Sequence, residues 1–184
     1  MSPLFRSRSR PGFARDVRGA VAVEFALLAP LLLIFYFGMA ELTQAMMAQR
    51  RLFHATSLIG DMAAQNGQIN QTRVDDIYNI SLAVMKPFPA SPMRLCLYSV
   101  VSDSKGKDTV AWVSPKNSPT SCPAAATVVT NVPESVLPAG SSVVISSTTY
   151  DYTPAISLKD TKFTFHRTYY LRPRRTETVE WSKT

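Results

Sequence analysis

The residue types that most often do chemistry are sparse in this chain and poorly spaced for it. There are two histidines, His54 and His166, far apart and without HExxH or CxxC partners, so no metal site is expected. No glycine-rich phosphate loop and no serine at a nucleophile elbow is present. Asp75 and Asp76 form an acidic pair, but at the start of an expected helix, where the dipole alone accounts for carboxylates. Tyr150, Tyr152, Tyr169 and Tyr170 fit sheet packing better than a ligand platform. The reading is of a protein that is not an enzyme and needs no cofactor. Two features remain. Cys96 and Cys122 are the only cysteines, and Glu24 interrupts an otherwise apolar run from Ala20 to Met39.

That run sets the problem. A membrane span needs about 20 mostly apolar residues, and residues 20–40 supply them. Five arginines precede it (Arg6, Arg8, Arg10, Arg15 and Arg18), while only Arg50 and Arg51 follow closely. Positive flanks stay in the cytoplasm, so the N-terminus is expected inside and the bulk of the chain outside. This arrangement also explains much of the net charge of +7 without nucleic acid, for which no recognition element is present. Pro30 lacks an N–H and is expected to kink or loosen the helix, which membrane helices tolerate. A carboxylate within a span costs a few kcal/mol and marks function by default, although near the interface Glu24 can snorkel or stay protonated. The competing reading is a secretory signal peptide cut after Gly38-Met39-Ala40. Against it stand Glu24 at the front of the apolar run and a helical pattern that continues past Ala40.

Gly19-Ala20-Val21-Ala22-Val23-Glu24-Phe25, behind its basic leader, resembles a prepilin peptidase site. With Arg18, Ala26 and Leu27 around it, the stretch resembles the opening of TadE/TadG-like pseudopilins of the Tad (tight adherence, Flp-type) pilus. Residues 143–154, ending Tyr150-Asp151-Tyr152-Thr153-Pro154, and then Tyr170-Leu171-Arg172-Pro173-Arg174, resemble the C-terminal half of the same family. The resemblance implies cleavage between Gly19 and Ala20, with Glu24 and Phe25 as the processing and assembly motif. A glycine before the cut leaves the backbone accessible. The new α-amino group at Ala20 can neutralise the Glu24 carboxylate of a neighbouring subunit, as a buried carboxylate requires. Implied partners are the inner membrane, a prepilin peptidase and other pilins. The implied function is that of a minor pilin in assembly of a pilus used for surface adherence. The alternative is an uncleaved single-span periplasmic binding or assembly-platform protein.

Beyond the span, Leu42, Met46, Gln49, Phe53, Thr56, Ile59 and Ala63 recur at helical steps, predicting an amphipathic continuation to about Asn66-Gly67. A second helix is expected from about Arg73 to Met85, capped by Thr72. Strands are expected over residues 94–101, 109–113, 142–150 and 163–170, the first two joined by a turn at residues 103–106. Residues 115–140, rich in Pro, Ser, Thr and Ala, read as a surface loop with room for one helical turn. The expected fold is therefore α+β and pilin-like: a long N-terminal transmembrane and amphipathic helix, then a small antiparallel-sheet periplasmic domain. Its divisions are a basic cytoplasmic leader (1–19), the span (20–40), the helix extension (41–67), the periplasmic domain (68–175) and a tail (176–184). In an oxidising periplasm two cysteines suggest one disulfide, Cys96 to Cys122; the alternative is a buried strand cysteine and a loop thiol. The Arg172, Arg174 and Arg175 cluster has no role assignable from sequence.

Overall fold

A computed structural model describes residues 18–156 and 161–183. Helix α1 runs from Arg18 to Ala64 and continues through Pro30. The chain divides into two units, residues 1–42 and 43–184, with the boundary inside this helix. In the first unit every residue from 19 to 40 is exposed except Ala29, which is half-buried. An apolar helix with no protein around it is what a lipid-facing span looks like. The segment is long and apolar enough to cross a membrane.

The second unit is an α+β domain. Strands β2 (Met93–Ser102), β3 (Asp108–Lys116), β4 (Ser142–Tyr152) and β5 (Phe163–Leu171) form an antiparallel sheet in the order β3-β2-β4-β5. A two-residue strand β1 (Gln68–Ile69) pairs in parallel with β6 (Glu180–Trp181). Helix α2 spans Gln71–Val84. The C-terminal part of α1 and α2 share one core with the inward side chains of the sheet, including Leu52, Ile59, Ile77, Leu95, Leu97 and Tyr150.

The buried face of α1 matches the expected one at Thr56, Ile59 and Ala63 and differs from it nearer the span. Ala48, Leu52, Ala55, Thr56, Ile59, Ala63 and Ala64 are fully buried, whereas Leu42 and Met46 are exposed and Gln49 and Phe53 are half-buried. The true face is dominated by small residues, whose weak hydrophobic signal is outweighed in sequence by the larger Met and Phe beside them. Small residues are what close packing on a sheet requires. At Gly60 an added Cβ would collide with Leu171 Cδ1 and lie 3.3 Å from Ser146 Cβ.

A polar seam crosses this contact. Thr56 Oγ1 donates to Leu52 O at 2.7 Å and lies 2.5 Å from Thr148 Oγ1. Thr56 has only one hydroxyl proton, so Thr148 must be the donor between them. Ser146 Oγ donates to Thr56 O at 2.6 Å. Each buried hydroxyl is thereby satisfied, as burial demands.

The cap of α2 also differs. Asn70, in an extended conformation, accepts from Arg73 N at 2.8 Å, so the helix begins two residues earlier than expected and Thr72 lies inside its first turn. Asn is among the strongest N-caps, and it competes successfully with Thr here. Asp75 pairs with Lys116 and accepts from Gln71 Nε2. The hydrogen bond from Lys116, more than the Coulombic attraction, holds its carboxyl below the usual range.

Residues 115–140 are less of a surface loop than expected, and the expected helical turn lies at Pro133–Leu137, where Leu137 N donates to Pro133 O at 3.1 Å. Residues 115–116 complete β3, and Val132 and Leu137 are buried on the far side of the sheet with Val100, Val110, Val143 and Ile145. A sheet with apolar residues on both faces needs this second cover. Residues 176–184, expected to be a tail, include a buried Val179, and Trp112 Nε1 donates to its carbonyl at 2.6 Å. The Trp181 ring lies 5.4 Å from that of Trp112. An indole N–H buried in a core needs an acceptor, and the chain end supplies it.

Candidate functional site

The residues singled out at the N-terminus occupy the first two turns of α1. Gly19 and Ala20 lie just after its first residue, Arg18, and Glu24 follows Ala20 by four positions, so the two share a face about 6 Å apart along the axis. Nothing lies within 4 Å of a Cβ built on Gly19. Packing in this structure therefore does not explain the glycine. Glu24 and Phe25 are both exposed. Between Gly19 and Ala40, Glu24 is the one charged side chain. The apolar stretch is about 30 Å long at helical rise, the thickness of a bilayer core. A lone carboxylate near one end of such a helix is a strong orienting charge for a cationic partner, and chemically it does little else. The arginines at positions 6, 8, 10 and 15 lie outside the described residues.

In the second unit Cys96 of β2 is bonded to Cys122, with Cα atoms 5.6 Å apart. The bond ties the segment that crosses the far face to the central strand beneath it. The arginine cluster acquires a role that sequence did not supply. Arg174 Nη2 donates to Asp61 Oδ1 at 2.5 Å, and Arg174 N donates to Ala64 O at 3.0 Å. One residue thus pairs with the last turn of α1 and satisfies one of its terminal carbonyls, as helix ends require. Asn66 Nδ2 takes the Met62 carbonyl at 2.6 Å. Two partners more than a hundred residues apart leave no local signal, so only the folded chain reveals the contact.

The histidines are not brought into any constellation. His54 is exposed on α1, and His166 is exposed on β5, with Nδ1 3.2 Å from Thr149 Oγ1. Tyr150 is buried and donates to Pro89 O at 2.9 Å, and burial raises its phenol above the ordinary value. Tyr152 stacks on Phe165. A shallow polar hollow beside the start of α2, lined among others by Asn66, Asn70, Arg73 and Asp76, gathers no catalytic grouping.

Residues 19–58 match the family model described as TadE-like protein. The match begins at Gly19 and ends within α1, and so does not reach the sheet. No curated protein and no solved structure matches the chain. The helix that carries Gly19 and Glu24, from its apolar segment into the domain as far as Leu58, is similar to that of TadE-like proteins.

Proposed function

We propose that this chain is a minor pilin or pseudopilin that takes part in assembly of a Tad-type pilus used for surface adherence. It acts as a structural subunit and not as an enzyme. The observation that carries this reading is the coincidence of three features at one place. The family match starts at Gly19. The apolar exposed helix starts there too, and its one charged residue is the carboxylate at the fifth position after that glycine. In this reading a prepilin peptidase cuts between Gly19 and Ala20, and the α-amino group of Ala20 meets Glu24 of a neighbouring pilin. The arginine-rich leader stays in the cytoplasm and the α+β domain is periplasmic, as the charge asymmetry favours. Before assembly, α1 holds the chain in the inner membrane; afterwards the same helix packs among other pilins.

The test is the intact mass of the mature protein from cells that hold the pilus system. Loss of residues 1–19 is the expected result. A chain beginning at Glu41 means a signal peptidase has cut after Ala40, and the pilin reading fails. An intact chain that never appears in sheared pili supports the uncleaved single-span protein instead.

A further inference from the structure

The two outer strands of the sheet are finished differently. Along the first three residues of β3, on its outer side, the chain lays its own backbone. Val110 donates to Thr127 O at 2.9 Å and accepts from Ala126 N at 2.8 Å, and Val129 N donates to Asp108 O at 3.0 Å. β5 pairs with β4 over Phe163 to Leu171, and no backbone partner lies on its other side among the described residues. None of its nine residues is fully buried, and Phe163 and Tyr170 are 48% and 39% exposed.

Open edges are normally blunted by proline, a bulge, shortness or an inward charge, because their free N–H and C=O groups recruit other strands. β5 has no proline or glycine, keeps an unbroken register with β4, and is rich in aromatic and β-branched residues. Its one strongly charged side chain, Arg167, does not guard the edge. The guanidinium lies 4.6 Å from the ring centre of Phe53 on α1 and 4.9 Å from that of Tyr169, which places it on the helix-covered side.

Charge narrows the choice of occupant. Residues 161–176 contain Lys162, Arg167, Arg172 and Arg175, besides Arg174, which is paired with Asp61, and no Asp or Glu. Two copies pairing edge to edge would set two such segments side by side, and like charges across a strand pair are destabilising. An acidic strand meets the opposite situation. We propose that β5 is a β-augmentation site that takes an extended, acidic, β-prone segment of a different protein as a fifth strand of the sheet. Main-chain hydrogen bonds supply the affinity in this mode, and alternate side chains supply the selectivity. Alternate residues of the added strand meet Arg167 and Tyr169 on one face and His166 and Tyr170 on the other. The inference rests on the domain alone and holds whether or not α1 is processed.

The test uses the full chain in detergent micelles and a blocked peptide of alternating valine and glutamate, matched to β5 in length. Amide hydrogen exchange across residues 163–171 is followed. The glutamate peptide is expected to slow exchange there by about tenfold or more. Lys162→Glu with Arg175→Glu, both at exposed positions, is expected to weaken the peptide's binding by about tenfold, with the domain's unfolding midpoint unchanged. The proposal is overturned if the glutamate peptide leaves β5 unprotected. Equal protection by a lysine analogue removes the charge selection, and equal protection by a peptide with N-methylated amides removes strand addition; either also overturns it. Protection without peptide that vanishes on dilution assigns the edge to a second copy, which overturns it as well.

Discussion

Glu24 is the residue on which the functional reading turns. A carboxylate in an apolar helix is costly, and a cationic partner relieves that cost only where subunits are packed. Replacing it should therefore spare the peptidase step and damage the assembly step. Glu24→Ala is expected to yield a mature chain starting at Ala20, while its amount in sheared pili falls by roughly tenfold or more, the change that about 1.4 kcal/mol per contact produces. Mass spectrometry and immunoblotting of the sheared fraction check the two halves separately, and normal incorporation would exclude the pairing role. Asp103 offers a test on the domain. Its carboxylate accepts the N–H groups of Lys107 and Lys105 at 2.9 and 2.8 Å and so closes the β2–β3 turn. Those bonds, Lys107 first, lower its pKa in the folded state. A depressed folded value means the stabilisation is fully present above the unfolded value of about 4 and is lost as pH falls through the lower folded value. Amide protection at residues 103–107, taken relative to the intrinsic exchange rate at each pH, should fall over that acid window, and Asp103→Asn should abolish the acid step. No acid-dependent change in the wild type would contradict the assignment.

At the scale of elements, the close approach of α1 to the sheet depends on Gly60. A Cβ there overlaps the tip of Leu171 and lies 3.3 Å from Ser146 Cβ, so a branched side chain must displace the Leu171 tip and crowd β4. Gly60→Val is expected to cost about 1–3 kcal/mol, the range for overpacking, read as a lowered urea midpoint. An unchanged midpoint would show that Leu171 swings aside freely. The far face of the sheet is held by the Cys96–Cys122 bond, which closes a loop of 26 residues in sequence. By the chain-entropy estimate the bond stabilises by about 3–4 kcal/mol. Cys96→Ser with Cys122→Ser should lower the unfolding free energy by about that amount and expose Val132 and Leu137, which pack in the cover it anchors. Equal stability with and without reductant would show that the cover holds by packing alone.

For the whole molecule, topology is the property to measure. Five arginines stand before the apolar helix and the disulfide-bearing domain stands after it. Both facts favour an exported domain. Protease added to spheroplasts is expected to degrade the domain of the wild type. Moving the arginine excess from the leader to the far side of the span should protect it, because orientation follows the Lys/Arg bias. A domain that resists protease in intact spheroplasts, but not in lysed ones, would reverse the topology.

Much of this was legible from residues alone because the signals are local. The apolar run, Gly19 and Glu24, the alternation of the four long strands and the turn at Asp103 each depend on neighbours in sequence, which set backbone geometry and solvent preference without help from the rest of the chain. What only the tertiary structure decided depends on partners distant in sequence. The face of α1 that is buried keeps to the expected Thr56, Ile59 and Ala63, but nearer the span it is set by Ala48, Leu52 and Ala55, small residues with a weak hydrophobic signal that fit against the sheet. The end of α1 is capped by Arg174, and Trp112 takes its acceptor from Val179. The cover of the far face, and the contrast between an edge partly covered at the start of β3 and an open one at β5, follow from where the chain returns after the strands have paired. Pairing satisfies backbone groups only between strands, so which edge is left open is a property of strand order and appears once the sheet is complete.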